Sequence, residues 1–136
     1  ARRGSTLTAV VEGLATGLAV YQALGRATVV VGWCASMMAA VGPLPAGFRV
    51  VCADNDSQTA ARIGKNPGVE AGRAAAEALG AGVCWPDGIR GTDWQDWRVE
   101  RRERALATEK RSGTAYRVVD EEMSQIITAA AVWVAG

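Results

Sequence analysis

Two aspartates separated by one residue, Asp54 and Asp56, stand where an apolar stretch of the chain ends. The stretch before them, residues 48–53, is short and rich in β-branched side chains, which predicts a buried strand. Strand side chains alternate with a period of two, so both carboxylates can point to the same side. Like charges this close repel unless a cation lies between them, and hard divalent cations prefer such oxygen ligands. An Asp-rich turn after a strand is the alternative explanation, because Asp also favours turns.

Further acidic residues follow other predicted strands. Glu12 ends a first strand, residues 6–11, and Asp93 and Asp96 lie just past a fourth strand, residues 82–85. The carboxyl ends of parallel strands share one edge of a sheet, and open α/β folds bind their ligands there. We therefore expect these distant carboxylates to converge and to hold one or two Mg²⁺ or Mn²⁺ ions for phosphoryl chemistry.

The elements that must position these acids alternate between strand and helix. This alternation predicts an α/β domain with a mainly parallel sheet of about four strands and helices packed on its faces. A loop is expected between Asp56 and the third helix. The predicted strands are residues 6–11, 28–31, 48–53 and 82–85, and the predicted helices are residues 14–24, 34–41 and 69–79.

The chain becomes strongly charged after Trp97. Residues 98–111 place Arg and Glu at helical spacing, which predicts a solvated helix; a surface that follows phosphates is the alternative. A break is expected at residues 112–114. The apolar spacing beyond it predicts a terminal helix over residues 120–135, with Asp120 as its cap. Just before this region, Trp94 and Trp97 have the spacing of an apolar anchor against the sheet, although tryptophans can also stack on bases.

Composition restricts the chemistry that is available. The 136 residues suffice for one domain with a sizeable core and are too few for two. A formal net charge of +1 argues against nucleic-acid binding through bulk positive charge, so such a partner would need local basic residues, metal ions or another domain. Because the chain has no His, Ser-His-Asp and Cys-His catalysis and His-based zinc sites are excluded.

The three cysteines, Cys34, Cys52 and Cys84, are far apart in the sequence and lack a C-x-x-C spacing. Each has apolar neighbours, which favours small buried side chains in a reducing compartment and therefore a cytoplasmic protein without a disulfide framework. No uninterrupted apolar stretch reaches transmembrane length, so no membrane partner is expected. The chain shows no signal peptide and no initiating Met, and we expect a fragment of a longer protein.

Four short motifs follow one another along the chain. Residues 12–17 (EGLATG) fit EG-x-x-T-[AG], and residues 54–56 (DND) fit D-[ND]-D. Residues 66–68 (NPG) come next, and residues 93–96 (DWQD) are similar to D-[FW]-N-D, with Gln95 in place of Asn. In this order the motifs resemble a Toprim domain, most closely those of plasmid- and phage-borne bacterial DNA primases.

The resemblance covers roughly residues 6–97. It implies a Toprim, Rossmann-like fold, with residues 98–136 as a C-terminal helical extension of one domain. It also implies metal-dependent nucleotidyl transfer, in which a primase makes RNA primers on single-stranded DNA with Mg²⁺ or Mn²⁺. The implied partners are the template, ribonucleotides, further domains of the same polypeptide and a replicative helicase.

The resemblance also assigns roles to individual residues. Glu12 matches a glutamate that acts as general acid/base or metal ligand, and Asp54 and Asp56 match the metal-binding pair. Asp93 and Asp96 match a late acidic motif near the metals.

Three basic residues, Arg62, Lys65 and Arg90, lie near these motifs and can reach a phosphate, although solvated loop charges are the simpler interpretation. Two other functions remain open. The same site could serve a Toprim-type nuclease or topoisomerase-like phosphoryl transfer, or the domain could be a non-catalytic docking module. A regulatory nucleotide-binding domain would need a Gly-rich phosphate loop after the first strand, and residues 12–15 match that poorly.

Overall fold

The computed structural model describes residues 6–108 and 112–136 of the chain. Within these residues an α/β fold is formed, with helices on both faces of a five-stranded sheet. The strands are β1 (Leu7–Val11), β2 (Thr28–Val31), β3 (Gly47–Cys52), β4 (Gly82–Cys84) and β5 (Val132–Val134). The helices are α1 (Leu14–Leu24), α2 (Ala35–Met38), α3 (Ser57–Ile63), α4 (Pro67–Leu79), α5 (Trp94–Thr108) and α6 (Ser112–Ala130).

The central strands of the sheet are β1 and β3. The order is β2-β1-β3-β4 with every neighbouring pair parallel. On the side of β3 away from β1, β4 pairs with residues 50–52 and β5 runs antiparallel to residues 47–49. This open, mostly parallel sheet is consistent with a Rossmann-like fold, and it places the carboxyl ends of β1 and β3 side by side.

Alternating side chains of the central strands build two cores. Val11 and Cys52 face the core under α1, α5 and α6, whereas Val10 and Val51 face the core under α2 and α4. Both faces of the strands are therefore buried, which explains why their sequences read as continuous apolar runs. Trp94 and Trp97 are fully buried in the first core, so the apolar anchor is confirmed and base stacking by this pair is wrong.

The start and end of α4 follow from local sequence. The Asn66 side chain accepts a hydrogen bond from the Val69 backbone N–H at 3.2 Å, and Pro67 occupies the first helical position. Gly80 adopts the left-handed conformation that ends the helix. These are standard helix signals, and the predicted helix over residues 69–79 is confirmed with an earlier start.

Two short helices differ from prediction. The second helix was expected over residues 34–41 but comprises only Ala35–Met38. Ser57–Ile63 forms α3 where a loop was expected, and none of its residues is buried. Because α3 has no buried face, it lacks the apolar periodicity that makes a helix visible in a sequence.

The charged region departs further from prediction. It is helical, but Arg98 and Glu100 are buried, so a fully solvated helix is wrong. Arg98 donates from Nε and Nη2 to the two oxygens of Asp120 at 2.7 and 2.8 Å. Asp120 lies inside α6, so it does not cap a helix as predicted. The end of the predicted charged segment, residues 109–111, lies outside the described residues.

The C-terminal residues were also assigned incorrectly. Residues 112–114 open α6 and do not form a break, and α6 ends at Ala130, well short of residue 135. Val132–Val134 forms β5 against the first half of β3. The C-terminal extension is therefore only partly helical, since its last segment completes the sheet.

No helix among the described residues has the length and apolar character needed to cross a bilayer. Of the cysteines, Cys52 and Cys84 are buried as predicted, on neighbouring strands with their sulfurs 4.0 Å apart. Cys34 is only half-buried, so the expectation for this residue is wrong.

Candidate functional site

The acidic residues singled out from the sequence lie at the carboxyl edge of the sheet. Glu12 directly follows β1, and Asp54 and Asp56 follow β3, the strand beside β1. Asp93 and Asp96 flank the start of α5, in the segment after β4. We call these five residues the carboxylate edge.

Asp54 is the residue at which the carboxylate edge converges. Its pKa is raised to about 7, first by burial and then by the charges of Glu12, Asp93, Asp56 and Asp96, in that order. Its Oδ1 atom is buried and has no hydrogen-bond partner among the described residues. The fold thus brings the other four carboxylates within electrostatic reach of Asp54 and leaves its Oδ1 without a donor.

Asp56 is held by the turn that begins α4. Its Oδ2 accepts from the Gly68 backbone N–H at 2.8 Å, and its own N–H donates to Asn66 Oδ1 at 2.9 Å. The start of a helix carries partial positive charge, which favours a carboxylate there. The side chain that follows β3 by four residues is therefore fixed in place by the NPG segment.

Gly68 brings that turn against the backbone of Asp54. A Cβ at position 68 would lie 2.7 Å from the Asp54 carbonyl oxygen and 2.9 Å from its carbonyl carbon. Only glycine permits such a close approach without displacing the backbone of the site.

Asn55, between the two aspartates, ties three segments together. Its Nδ2 donates to the Pro86 carbonyl at 2.7 Å and to Asp87 Oδ1 at 3.1 Å. Its Oδ1 accepts from Asn66 Nδ2 at 2.7 Å, and its backbone N–H donates to the Thr92 carbonyl at 2.6 Å. Asn55 is buried and lies between the β3 turn, the NPG turn and the segment after β4.

Sequence reasoning assigned no role to Asn55 or Asn66. The available signals were their amide side chains, which both donate and accept, and the position of Asn66 immediately before Pro67. The Asn-Pro pair is a recognised helix start, so the cap at Asn66 could have been predicted from the sequence. The amide side chain of Asn55 gave no such signal, because the segments that it joins are brought together only by the tertiary fold.

Asp93 and Asp96 are engaged differently from Asp54. Asp93 Oδ1 accepts from the Asp96 N–H at 2.8 Å, and Asp96 Oδ2 accepts from the N–H groups of Thr92 and Asp93 at 2.9 and 3.3 Å. This reciprocal pattern is that of a capping box, with Asp in the place of the usual Glu. Each carboxylate therefore stabilises the start of α5, which the sequence analysis did not foresee.

Among the described residues, no ion pair joins Arg62, Lys65 or Arg90 to the acids of the carboxylate edge. Arg90 Nε donates to Glu100 Oε1 at 3.0 Å, while its side chain stays 84% exposed. Glu100 also accepts from the backbone N–H groups of Arg90 and Gly91, which lower its pKa together with the guanidinium. Arg62 lies in the last turn of α3 and Lys65 follows the helix, and both are exposed.

The carboxylate edge suits a cation by its chemistry. Across residues 6–108 and 112–136, no three His, Cys, Asp or Glu side chains are arranged ready to hold a metal ion. Asp54 Oδ1 nevertheless lacks a donor and faces like charges, which a divalent cation would neutralise. Glu12, Asp54 and Asp56 are the residues that would hold such an ion, because oxygen ligands suit Mg²⁺ and Mn²⁺.

The chemistry of this edge can be summarised in two capacities. It offers acidic oxygens for a hard cation, and in Asp54 it offers a carboxyl that exchanges its proton near neutral pH.

Comparison of the chain with protein-family models, with curated proteins and with solved structures found no match.

Proposed function

We propose that this chain performs metal-dependent nucleotidyl transfer, as the catalytic Toprim part of a DNA primase that makes RNA primers on single-stranded DNA. One observation carries the proposal: Asp54 has a buried oxygen without a donor and four carboxylates acting on it. A site that concentrates negative charge in this way is destabilising unless a cation belongs there. The order of the sequence motifs then favours Toprim chemistry over other cation sites.

The residues have distinct tasks in this proposal. Asp54 and Asp56 hold Mg²⁺ or Mn²⁺, which when bound would neutralise phosphate charge and activate the attacking hydroxyl. Glu12, at the end of the neighbouring strand, accepts or donates the proton. Gly68 and Asn66 keep the two aspartates in position through the contacts described above.

Substrate binding must overcome the acidity of the edge. Phosphates are repelled by five carboxylates, so the nucleotide and the cation are expected to bind together. The exposed Arg62, Lys65 and Arg90 supply local positive charge for the strand or the triphosphate. With a net charge of +1 the chain depends on further domains for its template, and a replicative helicase is the partner that we propose.

Incorporation of labelled ribonucleotides on single-stranded DNA by the full-length protein that contains this chain, with Mg²⁺ or Mn²⁺, tests the proposal. Glu12→Gln is expected to lower the rate by about 10²- to 10⁴-fold, because it removes the general acid/base. Glu77→Gln is the matched control, since Glu77 is exposed on α4, and it should retain the rate of the unmodified protein.

Three results would contradict primer synthesis. Equal rates for Glu12→Gln and Glu77→Gln would remove Glu12 from the chemistry. Metal-dependent cleavage of the DNA without extension would favour the nuclease or topoisomerase-like alternative. Absence of both activities, together with absence of cation binding, would favour a docking module.

A further inference from the structure

Trp33 is the most exposed large hydrophobic side chain among the described residues, with 71% of its surface accessible. Its φ is 68°, in the left-handed region, which no other described residue except glycine adopts. For a bulky side chain this conformation is a genuine outlier, and such outliers cluster at functional sites. Sequence analysis assigned no role to Trp33.

The backbone on both sides of Trp33 is held by the fold. Gly32 donates its N–H to the Val11 carbonyl at 2.8 Å and so continues the pairing of β2 with β1. A Cβ on Gly32 would lie 2.9 Å from Met38 Cγ, which shows how closely this turn packs on α2. After Trp33, the Cys34 carbonyl accepts from the Met37 N–H at 3.1 Å. The indole therefore projects from a fixed turn.

Trp33 stands at the same edge of the sheet as the acids. It follows β2, which lies beside β1, and β1 leads into Glu12. Neighbouring strands are about 4.8 Å apart, so the ends of β2 and β3 are separated by about 10 Å. Glu12 also contributes to the electrostatic environment of Cys34, the residue after Trp33. The turn that carries Trp33 therefore lies at the same edge of the sheet as Glu12 and Asp54.

We propose that Trp33 is the stacking platform for a nucleobase whose phosphate lies at the carboxylate edge. The base comes either from the single-stranded template or from the incoming ribonucleotide, and the inference rests on the proposed nucleotidyl transfer. Stacking is available to every base because each has a π face, and it requires no positive charge on the protein. It therefore supplies affinity where five carboxylates repel the phosphates.

A second exposed tryptophan shows what is particular to Trp33. Trp133 on β5 is 54% exposed, but it pairs with the start of β3, at the end of the sheet away from the acids. It packs edge-to-face on Phe48, with ring centroids 5.2 Å apart. In the part of the chain that the structure describes, no aromatic ring or guanidinium group packs on Trp33. Its faces are open to a ligand.

Two probes, each with Mg²⁺, distinguish the two sources of the base. Fluorescence anisotropy of a labelled oligothymidylate reports the template strand, and isothermal titration calorimetry with ATP reports the ribonucleotide. Trp33→Ala is expected to weaken one of these affinities by about 5- to 150-fold, the usual loss for one stacked base. Trp33→Phe should retain most of that affinity, and Trp133→Ala should bind like the unmodified protein.

The proposal is overturned if Trp33→Ala binds both probes like the unmodified protein, as it would if Trp33 served a protein contact. It is also overturned if Trp133→Ala loses as much affinity as Trp33→Ala. Its failure is distinguishable from failure of the proposed function. Loss of ribonucleotide incorporation in Glu12→Gln with unchanged binding by Trp33→Ala rejects stacking alone. Weakened binding by Trp33→Ala with unchanged incorporation by Glu12→Gln rejects the nucleotidyl transfer alone.

Discussion

The two halves of the carboxylate edge use their acids in opposite ways. At the ends of β1 and β3, Asp54 has a buried oxygen without a donor and a pKa of about 7. At the start of α5, Asp93 and Asp96 each accept backbone hydrogen bonds in a reciprocal cap. The charge at Asp54 lowers the free energy of unfolding, and the reciprocal cap raises it.

This difference separates structural acids from acids that await a ligand. Both halves look alike in the sequence, since each consists of two aspartates one or two residues apart after a strand. Asp54 Oδ1 meets no donor, whereas Asp93, Asp96 and, at one oxygen, Asp56 each accept a backbone N–H. The proposed cation is therefore expected at Asp54 first, with Glu12 and Asp56 as its proposed neighbours, and the metal role of Asp93 and Asp96 stays a prediction that the variants below test.

The largest expected effect is on cation affinity. Asp54→Asn should weaken Mn²⁺ binding by about 100-fold or more, because loss of an outer-shell partner alone often costs 10- to 100-fold. Asp96→Asn, the same change in the cap, should alter affinity little. Isothermal titration calorimetry of both variants measures the difference. Equal losses would break the comparison and would make the late acidic motif a direct ligand.

The next-largest effect tests whether the turn at Gly68 holds Asp54 in position. Gly68→Ala forces a Cβ against the carbonyl of Asp54 and should cost roughly 2 kcal/mol in the free energy of unfolding, as overpacking does. Gly113→Ala is the control, because no described atom lies within 4 Å of its new Cβ and it lies inside α6. Urea denaturation of both variants measures the change. If Gly68→Ala unfolds like Gly113→Ala, the turn does not hold Asp54.

Much of the sheet could be predicted from local sequence. The strand Thr28–Val31 and the helix Leu14–Leu24 were found with their observed bounds, since β-branched runs and glycine stops are local signals. The last strand, Val132–Val134, was not found, because it forms only where β4 leaves half of β3 unpaired. The burial of Arg98 was also missed, because its partner Asp120 belongs to another helix and the two meet only in the tertiary fold.

The positions of the acids in the candidate site could also be predicted from the sequence, but not all of their interactions could. Acids at strand ends can be located once the strands are known, and parallel strands bring them to one edge. The cap formed by Asp93 and Asp96 is local and has a sequence signature that was overlooked, whereas the lack of a donor at Asp54 Oδ1 depends on the tertiary fold and could not be predicted. The conformation of Trp33 was equally hidden, since no composition rule places a bulky residue at positive φ.

The pH dependence of stability sharpens the comparison. The pKa of Asp54 is about 7 in the folded chain and near 3.8 in the unfolded chain. The unfolded chain therefore loses this proton first as pH rises, so stability falls towards pH 7 and is then constant. The fall should be roughly 2 kcal/mol after allowance for solvent screening of a half-buried carboxylate.

Urea titrations in EDTA between about pH 5 and pH 8 measure this fall. Glu100 and Asp120 have lowered pKa values, so both are ionised in either state across that range and do not contribute. Asp54→Asn should abolish the fall, and Mn²⁺ should oppose it in the unmodified protein. A fall that persists in Asp54→Asn would assign it to another group and would remove the energetic argument for the first half.

The smallest effect concerns the cap itself and separates its hydrogen bond from its charge. The Asp93 carbonyl accepts from the Trp97 N–H at 3.0 Å, and its Oδ1 accepts from Asp96, so Asp93 is the N-cap of α5. Asp93→Ala should cost about 1 kcal/mol in urea denaturation, whereas Asp93→Asn should cost little, because Asn caps helices as well as Asp does.

The same pair of variants also reports on Asp54. Both remove a negative charge that raises the pKa of Asp54, so both should reduce the fall in stability towards pH 7 by the same small amount. A cap role predicts that only Asp93→Ala loses stability at about pH 5, where Asp54 of the folded chain is still protonated. If Asp93→Asn keeps the stability of the unmodified protein but loses Mn²⁺ affinity like Asp54→Asn, then Asp93 caps the helix and binds the cation, and the two halves form a single metal site.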